Sequence, residues 1–320
     1  MNLKISAAGF AIQDAKGAAA AQPDYWGPVG AGKLVGVELE QTEDELTSAR
    51  VAGVGEFRES VAITAGYETR LWPGSFAGLL YAVLGARQTT GAAAPYTHTL
   101  TPAALLPWCT VFGAKDTERK SASDAKADSL KVEWEGNGPV KATIAWAGLG
   151  VAWSDAAYVP VTDETDDTYL KGINLTSVID LDGSGYDGGA VLQGGSVEVK
   201  RNITPDPKSG QLAPADLSEG AFECDVEFKV RVPDLLPVRK LLTGAVDGST
   251  IAAAVPYGGF TLTFADAAES VALAAAKVAF KVPEEPEADP KGGPAELTLQ
   301  GRCYGEPAIT ATVINSVASY

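Results

Sequence analysis

The chain has 320 residues, 46% of them hydrophobic and 21% charged, which is the balance of a folded globular protein and excludes a disordered or collagen-like one. Forty-one acidic residues against 25 basic ones leave a net charge of -16, so the mean field repels polyanions and disfavours tight nucleic-acid binding. The length calls for more than one ordinary domain, and Gly 35 with Pro 19 against Met 1 points to many turns and few long helices.

The opening segment has one early Lys, and Gln13 and Asp14 interrupt it before an apolar run of secretory length, so no signal peptide is expected. No stretch reaches the roughly 20 apolar residues of a membrane span. Gly27-Pro28-Val29-Gly30-Ala31-Gly32-Lys33 matches the glycine and lysine positions of a phosphate-cradling loop. Leu34 stands where Ser or Thr would hold Mg²⁺, and the pattern after it is a strand, so nucleotide binding is not expected.

Two-residue alternation then dominates. Strands are expected over Leu34–Gln41 and Glu56–Gly66, separated by a polar loop, and a helix over Pro73–Leu84, opened by Pro and stopped by Gly85. After a strand at Leu106–Phe112, Leu130, Val132 and Trp134 alternate with Lys131, Glu133 and Glu135. The turn Gly136-Asn137-Gly138-Pro139 leads to Val140, Ala142, Ile144 and Trp146, which reads as a hairpin.

Ser154–Gly195 reads as connector, with the acidic run Asp163, Glu164, Asp166, Asp167. Within it Asp180, Asp182, Ser184 and Asp187 have carboxylate spacing suited to Ca²⁺, although Val191 occupies the place of the usual closing Glu, and a plain Gly/Asp turn explains the run as well.

Further strands are expected at Gly195–Asn202, Phe222–Val232, Gly259–Ala265, Val271–Val282 and Ala295–Tyr304, with a second short helix at Pro233–Leu242 stopped by Gly244 and a charged hairpin tip at Glu284–Gly293. Pro73 and Pro233 lie 160 residues apart, half the chain, as do Val37 and Val197 in the strands GVELE and SVEVK. The expected architecture is therefore mainly β: two tandem β-sandwich or barrel modules, each with one short flanking α-helix. The bounds are an N-terminal arm 1–33, modules 34–153 and 194–305 joined by a connector 154–193, and a C-terminal arm 306–320.

The inventory for chemistry is thin. Cys109, Cys224 and Cys303 are odd in number and form no CxxC, so neither a disulfide framework nor a zinc site is indicated and buried thiols are expected. His98 is the single histidine, so any triad must be built on it, and no GxSxG elbow occurs. No catalytic residue, cofactor or metal is expected. Trp72, Trp108, Trp134, Trp146 and Trp153 fall in or beside apolar strand faces and read as core or subunit contact.

Five stretches together carry a resemblance: Trp72–Ala86 (WPGSFAGLLYAVLGA), Pro95–Phe112, Ser129–Gly150, Gly194–Pro205 and Ala308–Tyr320. In this succession the chain resembles the tail tube proteins, or major tail proteins, of long-tailed bacteriophages, over nearly its whole length. The resemblance implies a structural virion protein, made in the cytoplasm of a bacterial host, that polymerises as stacked rings into a hollow tail tube delivering DNA to the host. Rings of six modules imply three chains of two modules with pseudo-sixfold symmetry, or a hexamer. The implied partners are further copies of itself and the terminator, tape measure and distal tail proteins, with DNA passing unbound and no membrane contact. In the family a long loop reaches the next ring. The matching segments here place Glu43, Asp44, Glu45 and Arg50 in one loop and Arg201, Asp206, Lys208 and Glu219 in the other. The rival reading is a monomeric β-sandwich binding module, a decoration protein or adhesin.

Overall fold

The computed structural model describes residues 5–43, 56–115, 117–164, 169–185, 187–284 and 295–320. Its first half runs β1 (Ile5–Ile12), β2 (Tyr25–Gly27), β3 (Leu34–Glu43), β4 (Glu56–Arg70), α1 (Pro73–Leu84), β5 (Gly85–Thr90), β6 (Tyr96–Pro102), β7 (Cys109–Lys115), β8 (Glu118–Glu135), β9 (Lys141–Gly148) and β10 (Gly150–Ser154). The second runs β11 (Thr162–Asp163), β12 (Leu175–Asp180), β13 (Val191–Lys200), β14 (Thr204–Asp206), β15 (Asp216–Ser218), β16 (Glu223–Val232), α2 (Leu236–Thr243), β17 (Tyr257–Asp266), β18 (Glu269–Phe280), β19 (Ala295–Cys303) and β20 (Thr310–Asn315). The protein is mainly β, 54% strand against 8% helix.

Seven strands form one antiparallel sheet in the order β3-β4-β9-β8-β13-β16-β19. Two further groups, β2-β1-β7-β8-β10 and β12-β17-β18-β20-β6-β5, fold against it. Strand β8 belongs to both layers, pairing with β7 and β10 at its start and with β9 and β13 at its end. Between the two stretches Asp124 takes φ 48 and the β8–β9 register shifts at Ala127/Ser129, the bend by which a strand changes sheets.

The pairings of the first half recur in the second. β1–β7, β3–β4, β4–β9, β7–β8, β8–β9 and β8–β10 are matched in chain order by β12–β17, β13–β16, β16–β19, β17–β18, β18–β19 and β18–β20. The joint between halves is β8–β13, seven paired residues from Gly194↔Glu135 to Lys200↔Ser129.

One continuous core fills the space between layers. Alternation puts Val132, Val197, Val226 and Leu299 on the buried face, and aromatic rings meet there: Phe10 stacks on Tyr25 at 5.2 Å, while Phe228 meets Phe260 edge-on at 5.3 Å. Helix α1 has the expected bounds, with Gly85 in the left-handed conformation at its end (φ 93). Helix α2 begins three residues later than expected. Asp234 Oδ1 accepts the Leu236 N–H at 2.9 Å in a local turn, and Pro237 rather than Pro233 occupies the first helical turn. The strand expected from Leu106 starts at Cys109, beyond Pro107. Residues 5–12 and 310–315, read from sequence as parts of terminal arms, form β1 and β20, and Phe10, Ala311 and Val313 are buried in the core.

Candidate functional site

The seven-strand sheet has one face in the core and one open polar face, and it ends on two different edges. Across the open face one row of directly opposed residues reads Thr143, Lys131, Glu198, Asp225, Arg302. Two acids stand there between two bases, and the charges pair: Arg302 donates to both oxygens of Asp225 (2.8 and 3.2 Å) and to Glu223 (3.1 Å). Lys131 meets Glu133 at 2.8 Å and Lys200 meets Glu198 at 3.2 Å. An exposed pair of this kind adds little stability, but the interleaving keeps the face from becoming a strongly attractive or repulsive surface.

The edges differ. Among the described residues β3 pairs on one side only, with β4, whereas its counterpart β13 pairs on both sides. At the opposite end β19 pairs fully with β16, and on its other side only Gly301, Arg302 and Cys303 pair with β18. Open edges of this kind are templates for a further strand.

Of the loop residues singled out in the sequence, Glu43 closes β3, and Asp44, Glu45 and Arg50 lie outside the described residues. The second loop is held on the first half of its own chain. Arg201 is buried and donates to the carbonyls of Ala103 (2.9 Å) and Ala104 (3.4 Å); burial lowers its pKa. Lys126, itself buried, donates to Leu217 O at 2.9 Å and pairs with Glu219 at 2.7 Å, with its ammonium 4.2 Å from the Trp108 ring centroid. Burial pushes the Glu219 carboxyl up, but Lys126 and the Leu106 N–H outweigh it and hold the group below its ordinary value. Lys16 pairs with Asp216 at 2.9 Å, and the Val61 N–H donates to Leu212 O at 3.0 Å. Asp206 takes the Ser218 hydroxyl at 2.6 Å, and Lys208 stands exposed at the tip. Nothing in the alternation of the sequence marked Lys126 as this loop's anchor; it sits in a run of small polar residues.

The remaining candidates resolve into local structure. Asp180 Oδ1 accepts the N–H groups of Asp182 and Gly183, Asp182 Oδ1 accepts Ser184, and Asp187 Oδ1 accepts Gly189. Asp182 Oδ2 meets Lys240 at 2.7 Å; burial opposes ionisation, but the bonds from Lys240 and Ser184 win and hold the acid well below the usual range. These bonds tie the turn to α2. Among the described residues no group of three or more His, Cys, Asp or Glu is disposed to hold a metal ion. His98 is buried, with Thr89 Oγ1 at 2.9 Å from Nδ1, and Asn315 Oδ1 and Val317 O at 3.1 and 2.9 Å from Nε2, and burial lowers its pKa. Its partners are a hydroxyl, an amide and a carbonyl, so it locks β6 to β20 and the C-terminal segment. In the Gly27–Lys33 loop, Gly30 N–H donates to Glu68 O at 2.9 Å, and β3 follows directly. No described helix is long and apolar enough to cross a membrane.

A large sheet with an open polar face and unlike edges suits a protein that builds a scaffold. The model of the phage tail tube protein family matches residues 7–311. The chain belongs to the phage tail tube protein family, and it is a structural protein of the virion tail. No curated protein matches it.

Proposed function

We propose that this chain polymerises head to tail into rings that stack as the hollow tail tube, through which DNA reaches the host, and that three chains of two modules each close one ring. The recurrence of six strand pairings across the halves carries this reading. Within the chain the edge of β13 is filled by β8; among the described residues the matching edge of β3 is open, and an equivalent joint to a neighbouring chain fills it. A joint between two unlike edges is heterologous, and such contacts close into rings. The apolar sheet face is already in the core, so the polar face with Lys131, Glu198 and Arg302 is the one left to line the lumen. Interleaved ion pairs there let a polyanion pass without binding. The loops carrying Glu43, Asp44, Glu45 and Arg50, and Asp206 and Lys208, are the proposed contacts to the next ring. The protein acts by assembly, not catalysis, with terminator, tape measure and distal tail proteins at its ends.

Electron microscopy of the purified full chain tests this, with ring averages counting subunits. Proline is placed on β3 at Glu38 and separately at Leu39, since only one of two successive N–H groups points away from β4. The expected result is tubes of three-chain rings from the parent, and a folded monomer from one of the two proline variants. Tubes formed by both folded variants would overturn the edge joint, and a parent that stays monomeric at high concentration would favour a monomeric binding module.

A further inference from the structure

Two of the three cysteines are brought together by a register that nothing in their 79-residue separation announces. The β16–β19 pairing sets Asp225 opposite Arg302, so the next residues along, Cys224 and Cys303, stand opposite one another on the inward face. The neighbouring Cys303 side chain, with burial, raises the pKa of Cys224 well above its ordinary value. Opposed Cα atoms of an antiparallel pair lie about 4.5–5.5 Å apart, inside the roughly 4.4–6.8 Å that a disulfide spans. Access differs between the two. Cys224 is fully enclosed, whereas Cys303, 6% exposed, borders a groove of about 760 Å³ between the end of β19, residues 101–104 and Phe222. Cys109 lies apart in β7, buried, with burial raising its pKa.

We propose that Cys224 and Cys303 form a redox couple, a dithiol that a small disulfide entering the groove at Cys303 converts into a cross-strand disulfide joining β16 to β19. The exchange balances without any other reactant. The Cys303 thiolate attacks one sulfur of an oxidised low-molecular-weight thiol such as glutathione disulfide, its S–S bond breaks, and one glutathione leaves with a proton. The Cys224 sulfur then gives up its proton, attacks the Cys303 sulfur of the mixed disulfide and expels the second glutathione. The two protein thiols are oxidised and the one small disulfide is reduced to two thiols. Cys224 is fully enclosed, and the nearby Cys303 and burial hold it as a thiol, which makes it the resolving partner rather than the entry point. A tail protein is made in a reducing cytoplasm and works outside it, so the couple closes after release from the host. The bond would fasten the last pair of the seven-strand sheet beside its open end.

The test uses the full chain, reduced and then held folded in glutathione disulfide, followed by rapid denaturation in an alkylating agent and peptide mass spectrometry. The expected result is a Cys224–Cys303 disulfide with Cys109 alone alkylated, reversed by dithiothreitol, and an unfolding temperature raised by roughly 5 °C. The Cys224→Ala/Cys303→Ala variant should show no such rise on oxidation, while Cys109→Ala should keep it. Three alkylated thiols, or a glutathione adduct persisting on Cys303 with Cys224 alkylated, would overturn the proposal. Disulfides containing Cys109 would overturn it too, since they mark reaction through the unfolded chain.

Discussion

Helices α1 and α2 hold matched places, each following the second strand of its half of the sheet, yet their surroundings are opposite. Nine of the twelve residues of α1 are buried, against three of the eight of α2, which carries Arg239 and Lys240. A helix apolar all round belongs inside a core, and α1 is enclosed there: Phe10 lies against Gly78, where a Cβ would come within 2.8 Å of its ring. Tyr320 covers the same face, its ring 3.1 Å from that Cβ and its hydroxyl donating to Gly74 O at 2.7 Å. Among the described residues strands β5 and β6 have no counterpart beside α2. A shared topological position therefore fixes where a helix starts and stops but not how much it stabilises; that depends on what later segments lay over it.

The sharpest way to break this comparison is truncation of each helix's main anchor. Phe76→Ala, at 1% exposure in the middle of α1, should cost about 3–5 kcal/mol, and Leu241→Ala in α2 about 2 kcal/mol. Denaturant unfolding of the full chain measures both, and equal costs would mean that the two helices are buried alike in solution.

The next effect concerns the loop that ties the halves together. Lys126→Met leaves Glu219, whose side chain is 13% exposed, enclosed without its cation, which should cost about 3 kcal/mol. The pH dependence follows from the sign of the shift. The Glu219 pKa in the folded state lies below its ordinary value of 4.5, so its contribution is full above that value and fades as pH falls through the depressed one. Urea titrations at neutral and acid pH should show this acid loss in the parent. In Lys126→Met the main cause of the depression is gone, and the loss should disappear or reverse.

Both helices and the alternating strands from β3 to β4 and from β16 to β19 were legible because each follows from periodicity and from Pro and Gly punctuation. The first part of β8 was not. Ala122, Ala125 and Ala127 are buried there among Ser, Lys and Asp, and small residues next to polar ones give no alternation to read. Strands β1 and β20 were read as parts of arms because their partners, β7 and β18, are remote in sequence. The same remoteness hid the anchoring of Arg201 and Glu219 and the meeting of Cys224 with Cys303, since register between distant strands is a property of the assembled sheet. The family was legible from the succession of segments, which survives where single motifs are weak.

The smallest predicted effect sharpens the helix comparison at the feature both helices share, the glycine stop. Gly85 and Gly244 both sit in the left-handed region, at φ 93 and 75, so alanine at either site carries a strain of about 1 kcal/mol. What differs is the space. A Cβ on Gly85 would come within 2.6 Å of Leu105 O and 3.1 Å of Ala103, so backbone must move, whereas on Gly244 the nearest atom is Ala252 Cβ at 3.6 Å, an ordinary contact. Gly85→Ala should therefore cost roughly twice as much as Gly244→Ala, about 2 against 1 kcal/mol. Chemical denaturation of the two single variants reads that ratio directly. A ratio near one would mean that the segment after α1 yields as easily as the open end of α2, and the first half would lose its claim to be the more tightly enclosed.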